Sequence, residues 1–575
     1  MSECNFINIL NKLRKSSSDS IDNVDSFDSF KKYMHVIRDA EIDLKSILRN
    51  VNMSGKKTLI LLCGSAGDGK SHLLSYLKNS DSERLLEDFV VYNDATESNA
   101  PDKTAIDTLC EVLSNFKDEN LGKLGQNIIL AINLGVLSNF IESEYGDQFT
   151  ALKKYVFDSD ILSSTVNKGG YDANSFFQHI SFSDYHMFLL GKDGVNPEYI
   201  ESLFLKIVSQ EETNPFYVSY KVDCVSCPLN SKCPVKKNYE YFSNEKVRNY
   251  IATLLVNVII REKEILTTRE LLNYVYDILV AQEFEFSKFQ KSSLNMSKFL
   301  KEYLNCITPT ILFDSVDVTT IMNKTRKYDP LLYRDEEADN LAIEYYVSED
   351  VSKMVKKILV ESPYFHILSE QKAIDVVNED RELKSKLFNA LIRTNAISKS
   401  IASDKIFKKY VRDLYSYNAG KIPKLSNLYS DIEEAVTNWC GNESEGNICI
   451  DDQHKGFALY ENIKFEACLD NIPTESDVDN LQRFLPYIIV EFQDADRQPI
   501  RLDIDYSLYE LVSKLKRGYV QTAEDRNNHA DFISFIAKIL KTGSSDKYVT
   551  FISENGQKAV LEKTKFGVYK FKVVK

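Results

Sequence analysis

No stretch of this sequence is long and apolar enough to span a membrane. The strongest, IATLLVNVII at 251–260, is roughly half the length a spanning helix needs and is interrupted by Thr253 and Asn257. A basic-then-apolar secretory start is also missing, since the chain opens MSECNFINILNKLRKSSSDS. Together these predict a cytoplasmic protein with no membrane partner. Long glycine-, proline- or serine-rich tracts are lacking, and 43% hydrophobic with 27% charged residues predicts folded domains. Positive charge is not in excess: the net charge of −14 argues against a chain that coats nucleic acid through its bulk charge. Two short basic runs, KCPVKK (Lys232, Lys236, Lys237) and NKTRKY (Lys324, Arg326, Lys327), are candidates for a local groove, although runs of this length are usually solvated surface. The 7 histidines are too scattered for a Ser-His-Asp or Cys-His site. No H-E-x-x-H, deaminase or nuclease-type signature is found.

What is there is length and alternation. At 575 residues the chain exceeds what one core usually serves. Residues 1–50 read as a helical lead-in, with Phe30, Tyr33, Val36 and Ile37 at helical spacing. Over 51–220, apolar strands (KKTLILLC at 56–63, EDFVVYNDATES at 87–98, NIILAINLG at 127–135, QHISFSDY at 178–185) alternate with amphipathic helices (SHLLSYLK, TAIDTLCEVLSNF). This predicts an α/β domain, a parallel sheet with helices on both faces. Residues 221–240 read as a cysteine-rich insertion, and 241–435 as a large helical region. A C-terminal α+β domain over 440–575 carries the strands YIIVEF and IRLDID and a hairpin at Asn555-Gly556.

The chemistry centres on GSAGDGKSH at 64–72, which fits G-x-x-x-x-G-K-[ST] between a strand and a helix and so marks a P-loop NTPase domain. Consecutive backbone N–H groups must approach phosphate oxygens, which side chains at Gly64, Gly67 and Gly69 would obstruct. Gly64, Ser65, Ala66, Gly67, Asp68, Gly69, Lys70, Ser71 and His72 are therefore the candidate ATP-binding residues. Lys70 is expected on the β and γ phosphates and the Ser71 hydroxyl on Mg²⁺. Hydrolysis also needs a magnesium-side acid. Asp94 ends the strand FVVYND, with Glu97 just beyond, and Asn133 ends IILAIN. The short separation from Lys70 to Asp94 suits a strand next to the one that feeds the loop; with the usual spacing IILAIN would be the magnesium-side strand, and it ends in Asn133 instead of an acid. The preferred assignment is Asp94 as the acid and Asn133 as a sensor amide at the γ phosphate; the alternatives are a helix or turn cap for Asp94 and a strand-end cap for Asn133. Arg269, in the first turn of a helix opened by the Thr267/Glu270 capping box, is a candidate phosphate contact from a lid, the alternative being a surface arginine.

Ten cysteines in a long intracellular chain read as buried thiols or metal ligands rather than disulfides. Cys224, Cys227 and Cys233 form C-x2-C-x5-C, a candidate zinc or iron–sulfur site whose fourth ligand would be His186, His179 or Cys110.

GSAGDGKSHLL, VVYNDATES, IILAINLGVLSNFIE, ISFSDYHMF, CVSCPLNSKCP and LTTRELLNYVYDIL, in that order over about residues 50–340, resemble the F subunit of the DNA phosphorothioation-dependent restriction system, the Dpt/Dnd restriction ATPase family. The resemblance implies a bacterial or archaeal defence protein. It would work with G and H subunits to restrict DNA lacking the backbone sulfur, with ATP driving assembly or DNA remodelling. It carries Gly64, Gly69, Lys70 and Ser71 over to phosphate and Mg²⁺. The competing expectation is a nucleotide-gated scaffold with negligible turnover, or another defence ATPase.

Overall fold

The computed structural model describes residues 4–14, 29–93, 104–123, 125–162, 170–292, 295–315, 319–399, 405–444, 447–451, 456–463, 466–493, 497–541, 548–564 and 566–574. The chain divides into two units, one of Met1–Leu189 with Pro197–Ala402, the other of Leu190–Asn196 with Ser403–Lys575.

The first unit is built on a four-stranded sheet of β1 (Leu59–Cys63), β2 (Phe89–Tyr92), β3 (Asn127–Ile132) and β4 (Phe177–Ser181), in the order β2-β3-β1-β4. Every pairing is parallel. β1 (LILLC), β2 (FVVY) and most of β3 (IILAI) are continuous apolar runs because both faces are covered, whereas the edge strand β4 (FQHIS) also carries Gln178, His179 and Ser181. Leu59, Leu61 and Cys63 join Ile128, Leu130 and Ile132 in one core layer. The alternate residues Ile60, Leu62, Ile129 and Ala131 join the opposite layer. After α1 (Asn5–Leu10) and α2 (Ser29–Met34), α3 (Asp39–Ser54) and α4 (Lys70–Ser80) cover that second face through Leu44, Leu48, Leu73 and Leu74. The first face is covered by α5 (Ala105–Val112), α6 (Leu134–Glu142) and α7 (Thr150–Asp158), through Leu109, Phe140 and Leu152. The fourth strand is shorter than its apolar stretch, since Phe182–Asp184 turn as a 3-10 helix.

The strand order corrects one expectation. Asp94 follows β2, and β2 is not beside β1: both edges of β1 are taken, by β3 and β4. Passing one further strand needs only about 5 Å, less than two residues of extended chain, so the short spacing after Lys70 carried no information about adjacency.

Beyond the sheet, the first unit continues as helices: α8 (Glu198–Val208), α9 (Pro215–Asp223), α10 (Pro234–Phe242), α11 (Glu245–Glu262) and α12 (Thr268–Leu279), then others through Arg381–Ser398. The capping box opening α12 is present in full, with Thr267 and Glu270 exchanging side-chain and backbone bonds. Two lysines of each basic run are ion-paired locally. Lys236 and Lys237 pair with Glu240, and Lys324 and Lys327 with Glu262.

The second unit has helices Lys405–Asn418 and Ile422–Cys440 and mostly antiparallel strands. Ile488–Gln493 and Pro499–Ile504 pair antiparallel. Tyr548–Ser553 and Lys558–Lys563 form the hairpin around Asn555-Gly556, where Gly556 takes φ +76°. Among the described residues no helix is long and apolar enough to cross a membrane.

Candidate functional site

The loop between β1 and α4 is shaped by its glycines. Gly69, the N-cap of α4, has φ +97°, a left-handed conformation that a side chain would strain. Gly67 sits against the start of α12: a Cβ there would lie 3.2 Å from Thr267 Oγ1 and 3.4 Å from Arg269 Cβ. Gly64 and Ser65 begin the loop, and Ala66 to His72 line a cavity of about 230 Å³.

Three segments close around that cavity. The link between α2 and α3 contributes His35 and Arg38, the ends of β2 and β3 contribute Asn93 and Asn133, and the start of α12 contributes Thr268 and Arg269. Phe30, Met34, Val36, Leu203 and Leu272 form an apolar side. Asn133 is the N-cap of α6 yet makes no capping bond with its side chain. Of the lining residues, His35 and Glu41 answer each other as an ion pair, whereas Arg269 Nε and Asn93 Oδ1 are buried with neither a hydrogen-bond nor an ion-pair partner among the described residues. Buried polar atoms are normally satisfied, so both fit a polar ligand in the cavity. Asp94 itself lies outside the described residues, as does residue 97.

The loop's own charges are folded inward. Lys70 is buried, and its Nζ donates to the Ser65 carbonyl at 2.6 Å. The Ser65 N–H donates to Asp68 Oδ2 at 2.5 Å. Burial pushes the Asp68 carboxyl above its ordinary value, with nearby Lys70 opposing. An internal carboxylate thus holds a backbone donor of the kind an anion would use.

Arg38 and His35 carry no motif signal and were not expected at the site. Arg38 donates to the carbonyls of Asp68 (2.9 Å) and Tyr185 (3.0 Å), and its guanidinium lies 5.0 Å from the Tyr199 ring centroid. It ties the glycine loop to the lead-in. His35 stacks on Tyr76 at 3.5 Å, lies 3.0 Å from Glu41 and contacts His72 at 3.1 Å. Burial, with His35 adding to it, drops the His72 pKa to about 4. Burial alone would raise Glu41, but His35 and Lys45 outweigh it and hold the carboxyl below its usual value.

The cysteine run forms a turn between α9 and α10: Cys224 ends α9 and Cys233 is the N-cap of α10. None of the expected fourth ligands is shown joining it. His179, on β4, bonds Tyr155 at 2.9 Å, Cys110 belongs to a core layer of the sheet, and His186 neighbours Phe188. Among the described residues no three His, Cys, Asp or Glu side chains already stand as a coordination set.

Compared with protein-family models, curated proteins and solved structures, the chain matches none.

Proposed function

We propose that the chain is a Mg²⁺-dependent P-loop ATPase that binds ATP in the cavity at the carboxyl end of β1. The observation carrying this reading is a glycine loop between a parallel strand and a helix that opens on a cavity whose lining includes buried, unpartnered Arg269 Nε and Asn93 Oδ1. The residues fit the ligand. Loop N–H groups and the first turn of α4 favour phosphate, and the apolar side with Phe30, Met34 and Leu203 suits a base. Lys70, released from the Ser65 carbonyl, neutralises the β and γ phosphates, and the Ser71 hydroxyl holds Mg²⁺. Bound Mg²⁺ supplies charge neutralisation on the transferred phosphoryl group. Arg269 contacts phosphate from α12, Asn133 acts as the sensor amide, and Asp94, the residue after cavity-lining Asn93, is the magnesium-side acid.

The ordered motifs from GSAGDGKSHLL to LTTRELLNYVYDIL support a role in phosphorothioation-dependent DNA restriction, with G and H subunits and DNA as partners and a cytoplasmic location. A nucleotide-gated scaffold is the second reading. It is favoured by Lys70 and Asp68 both being folded onto Ser65, a resting loop that must be opened before ATP is held.

The test is ATP hydrolysis by the full chain and by Lys70→Ala, each with and without duplex DNA. DNA-stimulated turnover lost in the variant supports the ATPase, while tight binding without turnover moves the assignment to the scaffold. Failure to bind any nucleoside triphosphate overturns both.

A further inference from the structure

The cysteine turn between α9 and α10 is not used by the nucleotide site, and it has a neighbour far away in sequence. Helix α1 packs beside it: the Phe6 ring meets Tyr220 on α9 at 6.2 Å and Tyr239 on α10 at 5.3 Å. Asn5 Nδ2 reaches Asp223 Oδ1, the residue before Cys224, at 3.4 Å. Cys4 stands immediately before α1, so this packing brings a fourth sulfur to the other three. Cys224 lies within electrostatic range of Cys233, Cys4 and Cys227, and Cys233 within range of Cys4 and Cys227.

We propose that Cys4, Cys224, Cys227 and Cys233 form a tetrathiolate zinc site that clamps α1 onto α9 and α10.

Several features suit thiolate ligands. The Leu229 N–H donates to Cys227 Sγ at 3.4 Å, inside a turn closed by Asn230 N–H on the Cys227 carbonyl (3.0 Å) and Cys233 N–H on the Leu229 carbonyl (2.8 Å). Without a metal, burial raises the thiols of Cys4, Cys224 and Cys233, the last two to about 12, so the ion must displace those protons; the backbone amides of Val235 and Lys236 at Cys233 and of Phe6 and Ile7 at Cys4 act in the opposite direction. The Lys236 ammonium acts on Cys224 and offsets the negative charge that four thiolates and one dication leave behind. Cys224 and Cys233 are buried whereas Cys4 and Cys227 are partly exposed, which gives the ion a way in. The sulfurs do not stand in a coordination set beforehand; the ion draws them together by side-chain rotation, releasing a proton from each thiol as its bond to the metal forms. Four protein ligands leave no open position, so the site is structural and not catalytic.

The experiment uses the full chain purified without chelator and under argon, with metal content measured per chain. The expected result is one zinc per chain. On cobalt replacement, the charge-transfer absorption of four sulfur ligands should appear, and Cys4→Ser should lose one of those four contributions while Cys440→Ala keeps all of them. Should Cys4→Ser not fold, thiol labelling of the wild-type chain replaces it. Zinc must then shield Cys4, Cys224, Cys227 and Cys233, and chelation must expose all four. Absence of stoichiometric metal, iron with inorganic sulfide in place of zinc, an unchanged cobalt spectrum in Cys4→Ser, or labelling of Cys4 in the zinc-loaded chain each overturns the proposal.

Discussion

Asp68 competes with the ligand that its own loop is proposed to hold. Its carboxylate takes the Ser65 N–H and lies near Lys70, the two groups a phosphate would use. Removing that carboxylate frees the donor and cancels a negative charge beside the incoming phosphates. A charge-assisted bond is worth about 1.5–3 kcal/mol, so Asp68→Ala should tighten ATP binding by roughly tenfold. Titration with a fluorescent nucleotide checks this, and weaker binding by the variant would show that Asp68 shapes the loop instead of blocking it. Arg269 offers the reverse case. Its Nε is buried with no hydrogen-bond partner among the described residues, and the proposed phosphate would supply one. Arg269→Gln should therefore weaken ATP binding by at least roughly tenfold while leaving the melting temperature of the ATP-free chain within about 1 °C. Equal loss of stability in the absence of nucleotide would mean that the guanidinium serves the fold.

At the scale of elements, helix ends meet in the core at one side chain. Asn238 on α10 donates to the carbonyls of Leu279, the last residue of α12, and of Cys306, at 3.0 and 2.8 Å. Its Oδ1 accepts from the Thr308 N–H, which opens helix Thr308–Asp314, at 3.0 Å and from the Tyr364 hydroxyl at 2.8 Å. All four capacities of the amide are used, three of them on backbone groups that helix termini leave unpaired and the fourth on the Tyr364 hydroxyl. Asn238→Ala strands them in a buried place and should cost about 3 kcal/mol or more, seen as an earlier denaturant midpoint. A loss below about 1 kcal/mol would mean that water replaces the amide. This joint was not legible in the sequence, since its partners lie 41, 68, 70 and 126 positions away. Cys4 escaped notice for the same reason, and so did Arg38, whose role depends on the fold bringing Asp68 and Tyr185 to it. What could be read was local: the buried runs LILLC and NIILAI, the capping box at Thr267, the Asn555-Gly556 hairpin and the glycine loop each carry their cause within a few residues. Strand order could not be read, because the reach of a crossover exceeds the spacing between strands.

For the whole molecule, the division into two units places every residue lining the nucleotide cavity in the first. Heating should then give two calorimetric transitions, with ATP and Mg²⁺ raising only the one that belongs to the first unit. His72 makes the same partition visible through pH. Its pKa falls from 6.5 to about 4 on folding, chiefly by burial, with His35 and Lys31 adding to the shift and Glu41 opposing it. Between those values the unfolded chain binds a proton that the folded chain refuses, so stability present above pH 6.5 is lost as the pH falls toward 4. The full shift corresponds to about 3 kcal/mol. Glu41 acts at lower pH: its carboxyl is held below the ordinary value, so its contribution is present above that value and is lost as acid protonates the folded form. His72→Gln keeps the side chain neutral and should flatten the pH 6.5 to 4 slope of the ATP-sensitive transition while leaving the other transition's slope unchanged. If both transitions flatten together, or if only one transition exists, the two units unfold as one and His72 reports on the whole chain.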